Sequence, residues 1–110
     1  MTQSSKSQNR FEGVYSAMVT PMDENQEVDY DSLARFADFL IGQGVHGLIP
    51  LGSTGEDYAL SDQERAEVIR ITLEVAEGRV PVLAGTNGGS TRQVVEYCHQ
   101  ILQYEVLVVA

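Results

Sequence analysis

The stretch that decides the fold is Val45-His46-Gly47-Leu48-Ile49-Pro50-Leu51-Gly52-Ser53-Thr54-Gly55-Glu56. Val45 to Leu51 is an apolar run of strand length, and Gly52 to Glu56 holds two adjacent hydroxyls between two glycines. Ser61 with Glu64, just beyond, gives the S-x-x-E pattern that opens a helix. Strand, loop and helix in that order make one βα unit. Pro50 donates no ladder hydrogen bond, so strand pairing is expected to stop there, immediately before the loop. The loop then stands at the carboxyl end of a strand, where α/β folds bind their ligands. Glycines let the backbone approach a ligand and expose its N–H groups. With the hydroxyls of Ser53 and Thr54, those groups suit a small anion such as a carboxylate. The same residues also make an ordinary strand-to-helix turn, and both readings stand at this point.

Working outward, the same unit recurs. Gly13 to Pro21 is mostly apolar through Val14, Tyr15, Ala17, Met18 and Val19, and predicts a strand buried on both faces. Met22 to Val28 is a polar loop. Asp29 or Asp31 then caps a helix whose Leu33, Phe36, Ala37, Leu40 and Ile41 form one apolar stripe, ended by Gly42 and Gly44. On the carboxyl side, the helix opened by Ser61 carries Val68, Ile69, Ile71, Thr72, Val75 and Ala76 and ends at Gly78. Val80 to Gly85 predicts a third strand, followed by a second glycine-rich loop, Thr86-Asn87-Gly88-Gly89. Ser90 with Gln93 gives a further capping box. Val94, Val95, Cys98, Ile101 and Leu102 line the next helix, and Glu105 to Ala110 reads as a fourth strand.

Apolar strands alternating with amphipathic helices predict a parallel sheet with helices outside it. A parallel (β/α) barrel of the TIM type needs eight such units and about 250 residues. The expected fold class is therefore α/β, with a parallel barrel truncated to about its first four strands and three helices. Residues 1–10 are expected to be a disordered polar tail and residues 11–110 the N-terminal part of the barrel domain. A small doubly wound sheet is the alternative. Against it, the final strand is apolar throughout with no helix after it, which at a sheet edge invites aggregation.

Composition narrows the function classes. The chain has 110 residues, enough for one domain, and 43% are hydrophobic. Sixteen acidic residues against 7 basic ones give a formal charge of −9, which argues against nucleic acid or anionic membranes as partners. No apolar run reaches the roughly 18 residues of a membrane span. A single cysteine, Cys98, excludes an internal disulfide and a cysteine-only metal site and fits a reducing, cytoplasmic setting. It falls on an apolar stripe, as a buried thiol does. His46 and His99 have no second ligand at metal spacing, and His46 sits in a helix-to-strand connection away from the strand carboxyl ends. Asp23, Glu24 and Glu27 read as a solvated loop, and Glu56 as a hydrogen-bonding partner of its own loop. The Thr86–Gly89 loop reads as a plain loop, with an anion held at the N-terminus of its helix as the alternative. It matches neither G-x-G-x-x-G nor the phosphate-cradling G-x-x-x-x-G-K-[ST] pattern, which argues against a nucleotide site. Neither a cofactor nor a metal is expected.

Taken together, Gly13-Val14, Ala17-Met18-Val19-Thr20-Pro21, Gly52-Ser53-Thr54-Gly55-Glu56, Leu60-Ser61 with Glu64-Arg65 and Val68-Ile69, and Val80-Pro81-Val82 with Ala84-Gly85-Thr86 resemble the dihydrodipicolinate synthase / N-acetylneuraminate lyase family. Its members are class I, Schiff-base aldolases and lyases on a (β/α) barrel. The resemblance implies a lyase that condenses pyruvate, or the pyruvyl end of a 2-oxo acid, with a lysine and joins it to, or releases it from, an aldehyde. It implies that Thr54 and its N–H hold the pyruvate carboxylate. It also places Ser53 where the family usually has a catalytic threonine that relays protons between tyrosines, and puts Ala17 near the pocket floor. Full-length members are often tetramers. The chain departs from the family at Leu102-Gln103-Tyr104-Glu105, where Gly-Ala-Asp is usual. The family's lysine and tyrosines come from later strands, and the only lysine here is Lys6. The 110 residues alone are accordingly expected to be inactive. The alternatives are a half-barrel that only binds a small carboxylate, and one that pairs with another half-barrel.

Overall fold

The computed structural model describes residues 12–104 and 106–109. The expected tail, 1–10, lies outside them, as do Glu105 and Ala110 at the ends of the expected fourth strand. The described residues form β1 (Tyr15–Ala17), α1 (Tyr30–Gly42), β2 (Gly47–Ile49), two 3-10 turns (Ser53–Gly55 and Asp57–Ala59), α2 (Asp62–Ala76), β3 (Leu83–Gly85), α3 (Thr91–Ile101) and β4 (Leu107–Val109).

β1 pairs with β2 and β3 with β4, both parallel, in the registers Tyr15↔Gly47 to Ala17↔Ile49 and Leu83↔Leu107 to Gly85↔Val109. The two pairs are joined by a parallel bridge, Leu48↔Val82. The Leu48 N–H donates to the Pro81 carbonyl at 3.1 Å and the Gly85 N–H to the Pro50 carbonyl at 3.0 Å. Pro50 thus gives up a donor yet still accepts across the ladder. The strand order is β1-β2-β3-β4 and never reverses. A doubly wound sheet needs a reversal, and the described strands contain none.

Burial alternates along the strands because successive side chains point to opposite faces. Met18, Leu48, Val82 and Ala84 lie on the helix-covered side and are almost fully buried. Met18, Leu48 and Ala84 join Leu33, Ala37, Leu51, Val68 and Ile69 in one core. The other face is open. Ala17 is exposed, Val19 is 47% exposed, and Ile49 and Leu83 are only half-buried. The expectation that the first strand is covered on both sides is therefore corrected, because only one side meets a helix layer.

The helix starts follow their caps. The Asp29 carboxylate, rather than that of Asp31, accepts the Ser32 N–H at 3.0 Å and the Ser32 hydroxyl at 2.8 Å. At α2 both halves of the box form, Ser61 Oγ taking the Glu64 N–H and Glu64 Oε1 taking the Ser61 N–H. At α3 only half does. Ser90 Oγ accepts from Gln93, but Gln93 Oε1 takes the N–H of Gly89 instead of Ser90. The α3 stripe is also narrower than expected. Val94, Cys98 and Ile101 face the protein, whereas Val95 is 48% and Leu102 73% exposed. Residues 95 and 102 are one heptad apart, so they flank the stripe together, and Leu102 is already the C-cap. α2 ends at Ala76, and its C-cap is Glu77, which itself adopts φ 47 just before Gly78.

Candidate functional site

The loop after β2 is fixed by backbone that the sequence pattern does not announce. Leu51 has φ 65 although its side chain is fully buried. A left-handed conformation at a bulky residue costs on the order of 1–3 kcal/mol and persists only where packing enforces it. Here the core holds the Leu51 side chain while its backbone turns the chain across the strand ends. The Gly52 carbonyl then accepts the N–H groups of both Gly55, at 3.0 Å, and Asp57, at 3.4 Å. Glu56, at φ 56, separates the two 3-10 turns.

Ser53 and Thr54 begin the first turn, and both are exposed. Among the described residues, neither of their N–H groups donates to another group of the chain. Gly55 sits tightly beside the end of β1: a methyl group on it would stand 3.0 Å from the Met18 carbonyl oxygen and 3.1 Å from Thr20 Oγ1. A methyl group on Gly85, at the end of β3, would stand 3.0 Å from the Gly52 nitrogen. The turn that carries the hydroxyl pair therefore lies at the carboxyl ends of the strands, with Gly55 against the end of β1 and Gly52 against the end of β3. Ala17 is on the open face of β1, in register with Ile49.

A buried ion pair anchors this loop from beneath. Asp57 and Arg65 are 6% and 3% exposed. Their charged atoms approach to 3.7 Å. The shorter Arg65 contacts go to main chain: Nη2 donates to the Gly85 carbonyl at 3.2 Å and Nη1 to the Asp57 carbonyl at 3.4 Å. The Tyr97 ring of α3 covers the guanidinium, 3.9 Å from its carbon to the ring centroid. The sequence motifs give this arginine no role beyond its place in Glu64-Arg65. Helical spacing does signal it, because Arg65 shares a face with Val68, Ile69, Thr72 and Ala76, all buried.

The remaining candidates fall where elementary chemistry puts them. His46 is structural: its N–H donates to the Val14 carbonyl at 2.7 Å and its Nδ1 accepts the Val14 N–H at 2.9 Å, at the end of the sheet away from the loop. The Asp23 carboxylate accepts the N–H groups of Asn25 and Glu27 within its own loop. No cluster of metal-ligating side chains occurs among the described residues. Glu56 is exposed, and its side chain caps neither turn. Cys98 is a free thiol, half-buried. No described helix is long and apolar enough to cross a membrane.

Residues 10–106 match the model of the dihydrodipicolinate synthetase family. The chain belongs to that family. It is 46% identical over 86 residues to the 4-hydroxy-tetrahydrodipicolinate synthase of Magnetococcus marinus, a match covering 78% of this chain and 29% of that protein. It is equally identical over 87 residues to the enzyme of the same name from Methanococcus maripaludis, covering 79% of this chain and 30% of that one. The chain thus spans less than a third of the curated relatives it matches. Among solved structures, a monomeric dihydrodipicolinate synthase variant superposes with a TM-score of 0.85 at 34% identity, over 92% of this chain and 33% of that one. The Acinetobacter baumannii dihydrodipicolinate synthase, solved in complex with pyruvate, gives 0.83 at 35% identity, over 86% and 33%. The N-acetylneuraminate lyase of Mycoplasma synoviae gives 0.81 at 27% identity, over 89% and 34%. Within the family the chain is therefore similar both to synthases and to a lyase.

Proposed function

We propose that this chain is the N-terminal part of a (β/α) barrel and supplies the carboxylate grip of a pyruvate-dependent, Schiff-base lyase. The observation that carries the reading is the exposed Ser53–Thr54 pair at the strand ends, with open N–H groups, in a member of this family. A carboxylate accepts hydrogen bonds only, and two hydroxyls plus two N–H groups can each donate one to it. In the reaction, pyruvate and a lysine amine condense to an imine with loss of water. The cationic imine draws electrons from the neighbouring carbon, which loses a proton to become an enamine and attacks an aldehyde; cleavage is the reverse. Thr54 holds the carboxylate, Ser53 passes the proton, and Ala17 leaves room on the pocket floor. Serine at residue 53 can both donate and accept, as a relay requires.

The lysine of this chemistry is not among the 110 residues apart from Lys6, so the chain by itself forms no imine. The complete protein is an aldolase of the 4-hydroxy-tetrahydrodipicolinate synthase type, cytoplasmic and homo-oligomeric, without a metal or cofactor. Calorimetry with pyruvate tests the grip, and borohydride trapping followed by mass measurement tests the inactivity. Binding that disappears in Thr54→Ala, with no trapped adduct, fits. Equal binding by Thr54→Ala, or a stable pyruvyl adduct on the 110-residue chain, overturns it. A second reading rests on the open sheet face at Ala17, Val19, Ile49 and Leu83: two copies cover these faces by pairing as half-barrels. A discrete dimer on size-exclusion chromatography supports it, and a monomer excludes it.

A further inference from the structure

We propose that Arg65 is a positioning residue for the Ser53–Thr54 loop, a role that deepens, and rests on, the carboxylate reading of that loop. One side chain reaches two different strand-end segments. Nη1 holds the carbonyl of Asp57 in the loop after β2, and Nη2 holds the carbonyl of Gly85 at the end of β3. Those carbonyls belong to the same two backbone stretches that meet at the Gly85–Leu51 contact. The guanidinium therefore spans the seam beneath the hydroxyl pair.

The chain of bonds from Arg65 to the hydroxyls is short. The Asp57 N–H donates to the Gly52 carbonyl, which also accepts from Gly55 and so closes the turn that begins at Ser53. Asp57 is thus held at three points: its N–H by Gly52, its carbonyl by Arg65, and its carboxylate by the same arginine at 3.7 Å. The Asp57 carbonyl accepts from the Leu60 N–H as well, which carries the restraint into the Ser61 cap of α2. Burial makes these bonds costly to lose, because no water replaces a donor to a buried carbonyl.

Bridging needs the planar fork of arginine, not just its charge. A lysine ammonium is a point charge that can satisfy Asp57 but not two carbonyls on opposite arms of a guanidinium. The Tyr97 ring of α3 covers the guanidinium, 3.9 Å from its carbon to the ring centroid.

The test compares the 110-residue wild type with Arg65→Met and Arg65→Lys, and uses Arg70→Met as a control that removes exposed ion pairs only. The first readout is amide hydrogen exchange at Gly55, Glu56, Asp57, Ala59 and Leu60, set against amides in the middle of α1 and α2. The second is the pyruvate dissociation constant. In Arg65→Met the five loop amides are expected to exchange at least about tenfold faster than the helix amides change, and pyruvate affinity to fall by about the same factor, the scale of one hydrogen bond to a charged group. Arg65→Lys, which keeps the charge beside Asp57, is expected to show the same local pattern in a milder form. Arg70→Met is expected to match wild type. A uniform rise in exchange across the whole chain makes Arg65 an ordinary core residue and overturns the proposal, as does wild-type exchange in Arg65→Lys or in Arg65→Met. If wild type itself does not bind pyruvate, the carboxylate reading of Ser53 and Thr54 fails. The exchange pattern, which involves no ligand, still decides whether Arg65 positions the loop.

Discussion

Replacing Gly85 by alanine tests the seam between β3 and the loop directly. The added methyl group would stand 2.1 Å from the Leu51 carbonyl oxygen, 2.6 Å from its carbon and 3.0 Å from the Gly52 nitrogen. An ordinary carbon–oxygen contact is about 3.3 Å or more, so strand and loop must part by roughly 1 Å. All three obstacles are backbone, and Leu51 is pinned by its buried side chain, so no rotamer change relieves the clash. Overpacking of this kind costs about 1–3 kcal/mol. Parting also strains the Gly85 N–H bond to Pro50 and the Arg65 bond to the Gly85 carbonyl. Losing them adds roughly 1 and 1.5–3 kcal/mol. The expected destabilisation is at least about 3 kcal/mol, a large share of the 5–15 kcal/mol of a typical domain. Urea unfolding followed by far-UV circular dichroism measures it from the shift in midpoint at constant m-value. Gly42→Ala is the comparison, because nothing lies within 4 Å of its added methyl group and it closes α1. That substitution should gain up to about 1 kcal/mol from helix propensity. A Gly85→Ala protein within about 1 kcal/mol of wild type would refute the close approach of Leu51 to β3.

Other substitutions read other parts of the structure. The nearest atoms to a methyl group on Gly47 belong to the Tyr15 ring, a side chain rather than backbone, so Gly47→Ala should unfold at a higher urea concentration than Gly85→Ala. Ser61→Ala removes the capping box of α2 and should cost about 1 kcal/mol by the same assay. The Ser32 backbone and side-chain hydrogen bonds hold the Asp29 carboxyl below its ordinary value. Its stabilising contribution is present above about pH 4, the unfolded carboxylate range, and is lost as pH falls through the lower folded value. In Asp29→Asn, which still caps but does not titrate, unfolding stability should fall less steeply on acidification than in wild type. Burial, with the carboxylates of Glu64, Glu67 and Glu27, pushes the Tyr30 phenol above its ordinary value. Its contribution fades as pH rises past about 10. The ultraviolet difference between wild type and Tyr30→Phe should show it titrating later than free tyrosine.

What was legible in the sequence is what local chemistry settles. The Ser61 cap and the Leu33–Ala37 face follow from residues three or four positions apart, and the structure has them, while the choice of Asp29 over Asp31 is made by the structure. The βα order gave the parallel strands, and the glycine-bounded hydroxyls were found at the strand ends. What could not be read depends on contacts distant in sequence. Nothing in Leu51 announces φ 65, because the core rather than its own preference imposes it. Val95 and Leu102 looked like part of a stripe until the neighbouring layer fixed which side of α3 is covered. Gln93 chose Gly89 over Ser90 because the loop brings that N–H within reach. Arg65 was hidden by its charge, although its face was that of Val68 and Thr72.

The unreversed strand order has a consequence for how the chain comes off the ribosome. Each new strand bonds to the one made just before it, first β2 on β1, then β3 on β2, then β4 on β3. No strand has to be kept vacant for a late arrival to insert itself. A nascent chain can therefore add one βα unit at a time to the last completed edge, with folding running in the direction of translation.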